Sequence, residues 1–182
     1  MRHPEETPTR LHHYNYTTRD QAKTYAFYHD LLGFPLVAFW VEREPIPEND
    51  GRQTVMGHAF YGLPDGSMLA FMSFADPEFG ERVQGTKQPF GVHLALATTR
   101  AHQQEIAGKL REQGIFVLEI DHGFCHSIYF DDPNGLNVEY TSDPPNVDEI
   151  YSDQAGTARD TMLRYLAGDH TKTNHYYPGH DE

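Results

Sequence analysis

Residues 11–34 read LHHYNYTTRDQAKTYAFYHDLLGF, and this stretch decides the fold class. Up to Thr18 it alternates and is rich in aromatics, the pattern of a half-buried strand. Asp20 then opens a run with apolar residues at helical spacing. Ala22, Tyr25, Ala26, Leu31 and Leu32 fall on or near one helical stripe, and Gly33 is a natural stop for that helix. Phe34 to Trp40, Val55 to Tyr61 and Met68 to Phe74 read as three further strands, so the first half is βαβββ.

The second half repeats the order. A strand over Gly91 to Ala97 leads to a helix over Arg100 to Gln113, stopped by Gly114. Strands follow at Ile115 to Ile120, Phe124 to Phe130 and Leu136 to Thr141. The turn Leu63-Pro64-Asp65-Gly66 before the fourth strand parallels Asp132-Pro133-Asn134-Gly135 before the eighth, and Pro followed two residues later by Gly is good turn chemistry. The expected class is α+β: two βαβββ modules forming a curved, partly closed mixed sheet, helices on the outside and a C-terminal helical tail. The expected boundaries within one domain are an N-terminal arm 1–10, a first module 11–75, a linker 76–88, a second module 89–141 and an extension 142–182. Residues 42–53, rich in Glu, Pro, Asn and Gly, read as a polar surface loop, with a lid as the alternative. In the extension, Ser142-Asp143-Pro144-Pro145 breaks the pattern, and Asp160 to Ala167 reads as a helix with Met162, Leu163 and Leu166 on its apolar side.

A chain of 182 residues is long enough to bury a core without metal or disulfide staples. With 27 acidic against 14 basic residues its net charge is -13, which repels phosphate backbones and anionic lipids, so neither nucleic acid nor a membrane is an expected partner. Cys125 is the only cysteine, the opening MRHPEETPTR has no apolar stretch of signal-peptide length, and no apolar run approaches membrane-spanning length. The expectation is a cytoplasmic protein.

Strand alternation locates the chemistry. In the first strand Tyr14 and Tyr16 share one face and His13 the other; in the fifth, Leu94 and Leu96 oppose His93; in the eighth, Val138 and Tyr140 oppose Glu139. With the apolar stripes packed under helices, His13, His93 and Glu139 are left on the concave side. Two imidazoles and one carboxylate can occupy one face of a divalent ion and leave its remaining positions open. His12 competes with His13, because a one-residue slip in register flips the strand.

The segment from His13 to Asp20, followed by Ala26-Phe27-Tyr28-His29-Asp30-Leu31-Leu32-Gly33-Phe34, resembles the opening motif of the vicinal-oxygen-chelate superfamily, which includes glyoxalases, extradiol ring-cleaving dioxygenases and antibiotic-binding proteins. The ligand of that motif stands seven residues before the Asp, which selects His13. In the second half Ile120-Asp121-His122, Ile128-Tyr129, Asp132-Pro133-Asn134-Gly135 and Glu139 are similar in order and spacing to the extradiol dioxygenase signature. The resemblance implies Glu139 as a metal ligand, and His122 and Tyr129 as groups that hydrogen-bond the substrate or the reacting oxygens. Glyoxalases of the superfamily take a further ligand from the fourth strand, where the repeat puts Ala70.

The function implied is a non-haem Fe(II)-dependent extradiol-type dioxygenase, with Mn(II) as the main alternative metal, acting on a small catechol-like aromatic and dioxygen. His122, His126 and His58 are the candidates for handling its proton. The alternatives are a glyoxalase-like lyase, an isomerase or a hydrolase using the metal as a Lewis acid, and a non-catalytic small-molecule-binding protein. A homodimer or higher homo-oligomer is the expected assembly.

Overall fold

The computed structural model describes residues 11–83, 91–171 and 173. The arm 1–10, the linker residues 84–88, the opening residues 89 and 90 of the second module, and the tail residues His175 and His180 lie outside them. The chain divides into two compact units, one of residues 1–92 with 132–136, the other of 93–131 with 137–182. Among the described residues no helix is long and apolar enough to cross a membrane.

The first unit carries β1 (His13–Thr17), α1 (Gln21–Tyr25) continuing into a π-helical turn (Ala26–Leu31), β2 (Leu36–Ile46), β3 (Arg52–Gly62), β4 (Met68–Phe74) and α2 (Pro77–Val83). Its sheet runs β1-β4-β3-β2, with β1 parallel to β4 and the other pairs antiparallel. Asp20 starts α1 as the sequence suggests, its carboxylate accepting from the Ala22 and Lys23 amides at 3.0 Å. The buried side of the helix differs from the expected stripe. Thr24, Phe27, Tyr28 and Leu32 are buried, whereas Ala22, Tyr25 and Ala26 face solvent. The π turn, marked by the Leu32 amide bonding to the Phe27 carbonyl, accompanies the burial of the adjacent Phe27 and Tyr28. Tyr28 stacks on Phe71 and Tyr61 with ring centroids 4.6 and 5.7 Å away, and its hydroxyl donates to Asp132 at 3.0 Å. Burial raises the Asp132 carboxyl above its ordinary value, against the hydrogen bonds from Leu136, Asn134 and Tyr28 that favour its charge.

The second unit carries β5 (Leu94–Ala97), α3 (Arg100–Glu112), β6 (Leu118–Asp121), β7 (His126–Asp131), β8 (Asn137–Ser142) and α4 (Val147–Leu166). Its sheet repeats the first, in the order β5-β8-β7-β6 with β5 parallel to β8. Ile106 and Leu110 of α3 and Ile128, Phe130, Val138 and Tyr140 of the sheet are all buried. Each module thus forms its own four-stranded mixed sheet.

The repeat extends to hydrogen bonds that no local pattern announces. Gln21 Nε2 donates to the carbonyls of Gly57 and Phe71 at 3.1 and 3.0 Å, and Gln103 Nε2 to those of His126 and Tyr140 at 2.7 Å each. Aligning the two ladders by register makes these carbonyls equivalent. Each glutamine also meets a serine of the last strand, Ser73 at 3.2 Å and Ser142 at 2.9 Å.

Three segments depart from expectation. Residues 42–53 do not form a loop: β2 and β3 continue through them as eleven-residue strands, joined by a 3₁₀ turn (Pro47–Asn49) and a reversal at Asp50 and Gly51. Both of those residues have positive φ. An edge strand tolerates polar residues and Pro45 because one side of its backbone faces solvent. Within the expected linker, Asp76 caps the helix α2 and Phe79 is buried, a helix too short for periodicity to reveal. The tail helix is 20 residues long and begins at Val147, with Gly156 and a polar first half concealing it.

Candidate metal centre

The expected site residues of the second unit gather on one face of its sheet. Tyr129 and Glu139 are direct partners in the β7–β8 ladder, and Ala95 is the partner of Glu139 in the β5–β8 ladder. His93, two residues before Ala95, reaches Glu139 from the start of β5, its Nε2 2.8 Å from Oε2. The Tyr129 hydroxyl donates to Glu139 Oε1 at 2.8 Å, and His122 Nε2 lies 2.9 Å from the same hydroxyl oxygen. The single phenolic hydrogen is committed to Glu139, so His122 is the donor in that contact and the chain runs His122 to Tyr129 to Glu139. The His93 and His122 rings both meet the Tyr129 ring edge-on, with centroids 5.7 and 6.2 Å away.

Glu139 is only 6% exposed. Its carboxylate is oriented by both neighbours, as a carboxylate ligand requires. Tyr129 is pushed up to about 12, by burial first and then by its hydrogen bond to and the charge of Glu139, and it therefore remains a donor through the neutral range. Cys125 is buried, with Sγ 3.8 Å from Ser127 Oγ and no activating group in that contact. His126 sits on the opposite face, its Nδ1 2.7 Å from Arg100 Nη1.

The donor chemistry fits a divalent ion. A His nitrogen and a carboxylate oxygen 2.8 Å apart have the spacing of neighbouring ligands on an ion about 2.0–2.2 Å from each. Among the described residues no group of three or more His, Cys, Asp or Glu side chains able to hold a metal is found. His13 belongs to the first unit, at the start of β1, with its Nδ1 2.8 Å from His12 Nδ1 and its ring edge-on to Phe60. Register makes it the counterpart of His93: Asn15 pairs with Ala70 as Ala95 pairs with Glu139, and each His stands two residues earlier.

The first unit also holds a cluster that strand parity alone did not bring out. His58 of β3 is buried, with Nδ1 3.0 Å from Glu42 Oε1 and Nε2 2.9 Å from Asn15 Oδ1. Glu42 was hidden by the loop expected over 42–53; continuing the alternation of Trp40 and Val41 for one more residue would have put it on the face of Trp40. Met68, Ala70 and Met72 share this face with Phe60 and His58 through the β3–β4 register.

Comparison with known proteins supports the architecture. Solved structures of the same fold include a glyoxylase/bleomycin resistance protein/dioxygenase domain from Frankia sp. EAN1pec, at 14% identity, TM-score 0.59, and coverage of 75% of this chain and 99% of that one. A mutant of the fosfomycin resistance protein FosX from Listeria monocytogenes, complexed with Mn(II) and 1S,2S-dihydroxypropylphosphonic acid, matches at 16% identity, TM-score 0.53, and coverage of 74% and 92%. A putative dioxygenase from Bacillus subtilis matches at 19% identity, TM-score 0.53, and coverage of 72% and 40%. No curated protein matches the sequence. The model of the Glyoxalase/Bleomycin resistance protein/Dioxygenase superfamily matches residues 10–140, well over half of the chain, and the chain therefore belongs to that superfamily.

Proposed function

We propose that the protein is a cytoplasmic non-haem Fe(II)-dependent dioxygenase of the extradiol type, acting on a catechol-like aromatic, with His13, His93 and Glu139 as the metal ligands. The observation that carries this reading is the chain of His122, Tyr129, Glu139 and His93 in the second unit. A carboxylate ligand held by a phenol, which is itself held by an imidazole, is costly to assemble for packing alone. When bound, iron supplies the redox chemistry with dioxygen that side chains lack. With substrate bound, Tyr129 and His122 redirect their hydrogens, which otherwise go to Glu139 and to Tyr129, toward oxygen atoms that gain charge, and the Tyr129 phenol stays protonated to do so. His58 is the group that holds or moves a proton at its Nε2. Phe60, Met68 and Met72, which are half-buried, offer an apolar surface suited to a flat ring. Ala70 in the register position of Glu139 weighs against a glyoxalase-like lyase with a fourth protein ligand.

Anaerobic reconstitution with Fe(II), followed by a catechol panel under oxygen, tests the reading: oxygen uptake is expected from iron-loaded protein. Tyr129→Phe should slow turnover on the order of a hundredfold, about 3 kcal/mol, while changing iron affinity little. Glu139→Gln should lose iron binding. Iron demonstrably bound without oxygen uptake across the panel would transfer the site to Lewis-acid chemistry, with Mn(II) as the metal to try next, or to ligand binding.

A further inference from the structure

His58 is the enclosed imidazole of the first unit, its side chain 10% exposed, and its two ring nitrogens meet two different oxygen partners. The ring packs on Phe60 with centroids 4.3 Å apart, and in the strand ladders it lies opposite Trp40 on one side and Met72 on the other. Glu42 is two residues along β2 from Trp40, on the same face. Asn15 reaches Nε2 from β1, two residues beyond His13.

We propose that Glu42 is a positioning residue for His58: it fixes the proton on Nδ1 and so makes Nε2, facing Asn15, the nitrogen that exchanges a proton. The chemical purpose of this rests on the dioxygenase reading above; the hydrogen-bond assignment rests on geometry alone. A carboxylate can only accept, so the 3.0 Å contact requires a hydrogen on Nδ1. Nε2 lies 2.9 Å from Asn15 Oδ1, and the Asn15 amide suits either state of that nitrogen. The amide oxygen accepts when Nε2 carries a hydrogen, and the amide nitrogen, after rotation, donates when it does not. The Phe60 contact and the Glu42 bond together prevent the ring from turning over. Tying β2 to β3 is not a sufficient explanation, because those strands already share a ladder from Leu36 to Ile46.

The experiment compares wild type with Glu42→Leu and Glu42→Gln by nitrogen-15 NMR of histidine-labelled protein, alongside oxygen uptake of the iron-loaded forms. In wild type the His58 signals should report a hydrogen on Nδ1. Glu42→Leu, similar in volume but with no acceptor, should abolish that preference; Glu42→Gln, whose amide oxygen still accepts, should restore part of it. Turnover should fall about tenfold in Glu42→Leu with KM and iron content unchanged, a fraction of the roughly hundredfold or more that a positioned acid–base supplies. An unchanged His58 pattern in a folded Glu42→Leu protein overturns the proposal. A variant that loses only melting temperature, with pattern and turnover intact, overturns it equally. If the wild-type protein consumes no oxygen, the dioxygenase reading falls, while the NMR comparison still decides whether Glu42 sets the proton.

Discussion

The two units each build the same ladder pattern within their own sheet and differ at nearly every position of one face. By register Ala70 corresponds to Glu139, Phe60 to Tyr129, His58 to Ser127, Glu42 to His122 and Asn15 to Ala95, with His13 and His93 alike. On the opposite face both units keep apolar residues: Leu69 and Phe71 in β4, Val138 and Tyr140 in β8, all buried. Stability in this fold comes from the helix-packed face, which constrains its residues to fill space. The other face is free to diverge: the first unit uses it for apolar residues around His58 with its partners Glu42 and Asn15, the second for a carboxylate held by two hydrogen-bond donors.

The sharpest way to break the comparison is to give the first unit the residue of the second. Ala70 is fully buried. Ala70→Glu puts a carboxylate there with Phe60 where Glu139 has Tyr129, and it should cost about 4 kcal/mol of unfolding free energy, read by chemical denaturation. A loss below about 1 kcal/mol would mean that the two faces are less different than register indicates. The paired glutamines come next. Gln103→Met should destabilise by about 3 kcal/mol, since it strips a donor from one buried and one part-buried carbonyl and leaves a fully buried side chain in place of the amide. Gln21→Met, at a part-buried site, should cost about 1 kcal/mol. Equal costs would show that burial does not set the difference.

The smallest effect concerns the edge strands. In the second unit Glu119 of β6 accepts from Arg111 of α3 at 2.6 Å, and that bond, with the charges of Arg111 and Arg100, lowers its carboxyl below the ordinary 4.5 despite some burial. A carboxyl lowered in the folded state adds stability above its unfolded value and loses it as pH falls through the folded one. Wild type should therefore lose stability below about pH 4.5 more steeply than Glu119→Gln, by about 0.5 kcal/mol for so exposed a pair. Parallel curves for the two proteins would remove the pair from the stability of this edge.

By itself the sequence determined the duplication, the α+β class, and the face on which His13, His93, Tyr129 and Glu139 lie, because alternation and turn chemistry are local properties written within a few residues. It also singled out His93, His122, Tyr129 and Glu139 of the second unit, which the fold brings into one hydrogen-bonded chain. Partners across strands were not legible. Nothing local pairs Gln21 with Gly57 and Phe71, or Glu42 with His58, since each bond joins residues brought together only by the ladder. The buried stripe of the first helix is not legible in hydropathy, because Thr24 is buried through a hydrogen bond to Thr18. Residues 42–53 carry no strand signal because an edge strand needs no apolar pattern once its ladder with β3 supplies the hydrogen bonds. Sequence periodicity reports which way a side chain points; only the tertiary fold decides what it meets there.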